Sequence, residues 1–148
     1  EPYALALMTS DGVTTEDADL RWVARKRRQQ ILGTLDYSAF ICESALRTPF
    51  GGSEAMRDQL SHLLTARDRG VSVRVVPEHQ PYGIMSHSWL YMTYPHMSPV
   101  LNVEVSEGGV YLQDEQAEPY RKMLDLLDHI ALSVVESWTM LRSMVKGK

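Results

Sequence analysis

Glu43-Ser44-Ala45-Leu46-Arg47-Thr48-Pro49-Phe50-Gly51-Gly52-Ser53-Glu54-Ala55-Met56-Arg57-Asp58-Gln59-Leu60-Ser61-His62-Leu63-Leu64 joins a strand end, a proline–glycine turn and an amphipathic helix in one run. Just upstream, Tyr37-Ser38-Ala39-Phe40-Ile41-Cys42 has the aromatic, β-branched and small residues of a strand. Gly51-Gly52 follows the Pro49 turn and would deliver Ser53 as a helix N-cap. Met56, Leu60, Leu63 and Leu64 then recur at i, i+4, i+7 and i+8, one apolar stripe for a core. Gly70 suits a left-handed cap, and Val71, Val73 and Val75 alternate with Ser72 and Arg74 as in a half-buried strand that Pro77 ends.

Outward from this strand–helix–strand segment, Thr14-Thr15-Glu16-Asp17 starts a helix predicted to run to about Leu32. Glu1 to Met8 resembles the inside of an earlier helix, with Pro2 in its first turn and Asp11-Gly12 ending it. Residues 78–87 read as a loop, and Ser88–Tyr94 as a strand. Pro95–Pro99 read as a turn and Val100–Val105 as a further strand, with Glu107-Gly108-Gly109 a hairpin into Val110-Tyr111-Leu112. Near the C-terminus, Tyr120, Leu124, Leu127, Ala131, Val134, Trp138, Leu141 and Val145 keep a 4-3 spacing that one continuous helix would show. Ser133-Val134-Val135-Glu136 is also a capping box, which would restart a second helix. The fold class is α+β: a mostly antiparallel sheet of about four to five strands with an inserted helix, flanked by N-terminal and C-terminal helices.

At 148 residues the chain has the length of one domain and can bury roughly two-thirds of its unfolded surface. Its 44% hydrophobic and 23% charged residues fit a globular protein. No apolar run approaches the ~20 residues of a membrane helix, and no signal peptide is visible. The single Cys42 rules out an internal disulfide, which fits a cytoplasmic setting. A net charge of −4 argues against this segment gripping nucleic acid by itself. Arg21, Arg25, Lys26, Arg27 and Arg28 form an anion patch on one reading. On the other they are a solvated face whose cations suit a helix C-terminus, and the acidity of the rest of the chain favours the latter.

No constellation dictates a reaction. His79, His87 and His96 flank the Trp89–Tyr94 strand at spacings that match no metal-ligand pattern. Cys42-Glu43-Ser44 offers a nucleophile without an identifiable base, and a lone cysteine on an apolar strand is more often a small buried hydrophobe. Gly51-Gly52-Ser53 lacks the lysine of a phosphate loop. No catalytic residue, metal ligand or cofactor is therefore assigned. Glu43 and Glu104 end or lie in apolar strands and would either pair with an arginine such as Arg47 or Arg74 or point into a pocket. Trp89, Tyr91, Met92, Tyr94 and Tyr111, with Tyr82, Met85, Met97 and His87 nearby, concentrate aromatics and methionines around one sheet. Such a surface suits an apolar ligand or partner, although alternate strand residues must face a core. The candidate ligand-binding set is Trp89, Tyr91, Met92, Tyr94, Tyr111, His87, Glu43 and Glu104.

The 43–64 run resembles the signature of the C-terminal domain of actinobacterial, Streptomyces-type helix-turn-helix regulators of an antitoxin-like family. Those proteins read E-x-x-L-R-R-P-x-G-G and then V-M-x-x-Q-L-x-x-L-L at these relative positions. Val71–Pro77 is similar to the family's V-x-V-x-V-L-P strand. Ala131–Ser137 is similar to its A-L-S-P-x-E-S box, with Val134 in place of the common proline. The resemblance covers about residues 1–142 and favours a helix break at Ser133. It implies a single regulatory domain over 1–148 whose N-terminal helix-turn-helix is absent from this chain, so that DNA would be met only through that missing part. It also implies a small cognate partner protein, while the aromatic and methionine surface would suit a small-molecule effector. The rival readings are a stand-alone biosynthetic enzyme that reuses the fold with an aromatic, Met- and His-lined pocket, and a homodimerisation module built on the last helix.

Overall fold

Two short parallel strands organise the part of the chain around the quoted run. The computed structural model describes residues 4, 12, 14–80, 87–105 and 108–147 and divides into two units, residues 1–78 with 132–148 and residues 79–131. In the first unit, helix α1 spans Thr15–Gln29. Thr14 caps it, its Oγ1 accepting the Asp17 N–H at 3.3 Å. Glu16 and Asp17 at its start, and Lys26, Arg27 and Arg28 at its end, complement the helix dipole. The helix stops at Gln29, short of the predicted Leu32, and the chain continues in turns. The basic residues are solvated, with the Lys26 ammonium 5.7 Å over the Trp22 ring.

Strand β1, Tyr37–Cys42, pairs in parallel with β2, Val71–Val76, in the register Tyr37↔Val71 to Cys42↔Val76. Parallel neighbours need a long crossover, and the quoted run supplies it as α2, Glu43–Arg47, and α3, Gly52–Thr65. The α3 cap differs from the sequence expectation. Gly51, at φ 75°, occupies the N-cap position, and Ser53 lies inside the exposed first turn. A left-handed φ excludes most side chains at that corner, so the turn geometry overrides the serine. A short 3-10 turn, Ala66–Arg69, and Gly70 at φ 73° lead into β2.

The core of this unit gathers Leu46, Met56, Leu60, Val71, Val73 and Val75 around Leu141 of the last helix. That helix, α5, spans Val134–Lys146 and begins at a complete capping box. Ser133 Oγ accepts the Glu136 N–H at 3.2 Å, while the Glu136 carboxylate accepts from the Ser133 N–H and hydroxyl at 2.9 and 2.6 Å. The break favoured at Ser133 is therefore present, and the continuous-helix reading of the 4-3 spacing is not. β2 would otherwise expose a strand edge, but the C-terminal segment closes it. Leu132 N–H donates to Val75 O at 2.9 Å, and Val75 N–H donates to Ser137 Oγ at 2.9 Å.

The second unit is an antiparallel sheet in the order β3-β4-β5, made of Trp89–Tyr94, Met97–Val105 and Gly108–Gln113. Helix α4, Glu118–Ile130, follows. Among the described residues the five strands thus divide between two sheets rather than forming one mostly antiparallel sheet. Pairing partners are non-local, and alternation fixes a strand's faces without naming its neighbour. The turn expected over Pro95–Pro99 shrinks to residues 95–96, because β4 begins at Met97 and runs through Pro99. Of the predicted first helical piece only Ala4, which is helical, is described; its other residues, its end at Asp11, Tyr82, Met85 and the Glu107 hairpin position lie outside the described residues.

Candidate functional site

Register decides which of the candidate residues share a surface. Trp89↔Val103, Tyr91↔Leu101, Leu101↔Leu112 and Val103↔Val110 are cross-strand pairs, so these residues occupy one face of the three-stranded sheet. Leu101 is fully buried there. Tyr120 of α4 sets its ring edge-on to Trp89, with centroids 5.4 Å apart, which places α4 over this face. Its hydroxyl also lies 3.0 Å from His87 Nε2. Trp89 and Tyr91 thus lie half-buried on the side where Tyr120 sits, and the exposed His87 meets the same tyrosine.

The opposite face carries Leu90, Met92, Val100, Asn102, Glu104 and Tyr111, by the pairs Leu90↔Asn102, Met92↔Val100, Asn102↔Tyr111 and Glu104↔Gly109. A bulge between Met92 and Tyr94 sets Tyr94 opposite Met97, and the Tyr94 hydroxyl reaches Met92 Sδ at 3.6 Å. Tyr111 is 69% and Met97 60% exposed, and Leu90 and Tyr94 are exposed as well. Large apolar side chains left in water on one face of a sheet are a feature of binding surfaces. Of the eight candidates, Met92, Tyr94, Tyr111 and Glu104 therefore share an exposed face, while Trp89, Tyr91 and His87 belong to the other.

Glu43 lies in the first unit and is only 8% exposed. Its Oε1 accepts from both Nε, at 2.9 Å, and Nη2 of Arg47, one helical turn on, and its Oε2 accepts the Glu78 N–H at 3.2 Å. The choice between ion pair and pocket falls to the ion pair. Arg74 is used elsewhere, its Nε donating to Leu132 O at 3.0 Å and its guanidinium 5.3 Å from the Phe40 ring. Glu104 is exposed, and its N–H donates to Ser88 O at 2.9 Å.

One feature of the first unit was not legible as a site in the sequence. A groove of about 780 Å³ runs beside α5, lined by the apolar Leu132, Val135, Met140 and Met144, by Thr139, Ser143 and Gly147, and by the charged Glu136 and Arg47. The i, i+4, i+7 spacing of Glu136, Met140 and Ser143 was visible, but Arg47 comes from α2, nearly ninety residues away in sequence. Burial pushes the Cys42 thiol up, which opposes a thiolate nucleophile. Among the described residues no group of three His, Cys, Asp or Glu side chains is arranged to hold a metal. Nor is any described helix long and apolar enough to cross a membrane.

The geometry defines a mixed helix-and-sheet fold of two units, one carrying an exposed apolar sheet face and the other a groove beside α5. By sequence the chain belongs to the family described as Domain of unknown function (DUF5753), which it matches over residues 1–143. No curated protein and no solved structure matches it.

Proposed function

We propose that this chain is the partner- or effector-binding regulatory domain of a helix-turn-helix transcription regulator of the antitoxin-like kind. The observation that carries the reading is the exposed sheet face of Leu90, Met92, Tyr94, Met97 and Tyr111. Aromatic and methionine side chains give large contact area and adapt to a partner's shape. The resemblance of residues 43–64, 71–77 and 131–137 to the C-terminal domain of such regulators supplies the context. In this mechanism, occupation of the sheet face biases an attached DNA-binding domain between two states, by as much as the partner's affinity differs between them.

Native mass spectrometry of the protein recovered from cells that express it naturally tests this directly. The expected result is a stoichiometric co-purifying species, small protein or small molecule, that is lost in Tyr111→Arg and in Leu90→Glu. Adding that species to the complete gene product should change its affinity for operator DNA at least tenfold. A species that survives both substitutions, or DNA affinity indifferent to it, overturns the reading.

A further inference from the structure

We infer that the groove beside α5 is a second binding site, for a small apolar carboxylate, distinct from the exposed sheet face. Arg47 carries the argument. A guanidinium has five N–H donors in a fixed planar fork. Glu43 Oε1 takes Nε and one N–H of Nη2, which leaves three donors, including both on Nη1. Arg47 is 57% exposed, and its side chain lines the groove. Its direction is held from behind, because Glu43 is buried and is itself tied to the Glu78 N–H. A fixed guanidinium with a free edge is built to receive a carboxylate side-on through two N–H groups.

The rest of the groove selects what is attached to that carboxylate. Met140, Met144, Leu132 and Val135 give an apolar wall, and methionines fit irregular aliphatic or aromatic bodies. The volume of about 780 Å³ lies within the range that encloses small molecules. The other charge in the groove, Glu136, is engaged by the Ser133 N–H and hydroxyl at the helix start. The ligand's charge therefore belongs at Arg47, with its apolar body along the methionines.

Titrating the 148-residue chain with dodecanoate, below the concentration at which it aggregates, and with dodecanol as the uncharged control provides the test. The expected result is saturable one-to-one binding of the acid, at least tenfold tighter than the alcohol. Ser143→Trp fills the groove from an exposed position and leaves the Glu43–Arg47 pair intact, so it should abolish binding. Arg47→Lys keeps the charge but loses the fork, and should weaken binding several-fold. Equal affinity for acid and alcohol, absence of saturation, or binding that survives Ser143→Trp overturns the inference. Binding abolished by Tyr111→Arg instead would move the site to the sheet face and overturn it as well.

Discussion

Replacing Ser137 by alanine tests whether the C-terminal segment is a structural part of the parallel sheet. Ser137 and Val75 are both 0% exposed, and the Ser137 hydroxyl oxygen is the acceptor for the Val75 N–H at 2.9 Å. Alanine removes that acceptor and leaves an amide that water cannot reach. An unsatisfied buried donor costs about 1–3 kcal/mol, against a total stability of about 5–15 kcal/mol for an ordinary domain. The hydroxyl's own bond to Leu132 O, at 3.5 Å, is too long to add much. A loss near 2 kcal/mol corresponds to a fall in Tm of about 4–8 °C for a chain of this size. Ser143→Ala is the matched control on the same helix, since its exposed hydroxyl bonds only the Met140 carbonyl and should cost under about 0.5 kcal/mol. Urea denaturation followed by circular dichroism measures both, and hydrogen exchange at the Val75 amide reports the site itself. A Ser137→Ala variant within 0.5 kcal/mol of the parent, or a Val75 amide as protected as before, would refute the reasoning.

Val134→Pro should be neutral or slightly stabilising by thermal melting, because Val134 is the first residue of α5 and Ser133 before it is extended at ψ 162°, as a residue preceding proline prefers; a loss above about 1 kcal/mol would contradict the assigned helix start. Glu136 is held below the usual carboxylate range by its hydrogen bonds from the Ser133 side chain and backbone. Glu118 is held low chiefly by its hydrogen bond from Arg121. A carboxylate depressed in the folded state adds stability above its unfolded pKa and loses it as pH falls through the folded one. The Tm advantage of the parent over Glu136→Ala and Glu118→Ala should therefore be present at neutral pH and shrink on acidification, and a gap that widens in acid would reverse the sign. A Cβ at Gly109 would meet Asn102 Nδ2 at 2.5 Å, the far end of a side chain that can swing aside, so Gly109→Ala should cost under about 1 kcal/mol by urea denaturation; a larger loss would show the Asn102 amide to be held in place.

The parts of this fold that were legible in the sequence are those whose cause is local. Val71, Val73 and Val75 fix the faces of β2 by alternation, and Ser133 with Glu136 marks a helix start that four residues suffice to build. Gly51 misled the cap assignment because a left-handed corner and a serine two residues later both signal a helix start, and only the backbone angle separates them. The pairing of β1 with β2, and their separation from the other three strands, depends on partners distant in sequence that periodicity does not identify. The same limit applied to the site. Alternation predicted that about half of the aromatic cluster would face inward, and register then assigned Trp89 and Tyr91 to that half and Met92 and Tyr111 to the other.

Ser137 and Arg47 show what a sequence conceals when one side chain serves a distant element. A serine in a helix reads as a polar surface residue, yet Ser137 lies four residues before the buried Leu141, on the stripe that faces the core. Its polarity makes sense only once the Val75 amide is known to arrive there. Arg47 reads as one partner of an i, i+4 pair with Glu43, and it is that. The pair consumes only one edge of the guanidinium, and Arg47 also lines the groove beside α5. In both cases the informative quantity is the number of hydrogen-bonding groups left over after local partners are counted. At Val75 the count closes with a serine and gives stability. At Arg47 three donors remain after Glu43 is counted, which is the condition the proposed ligand requires.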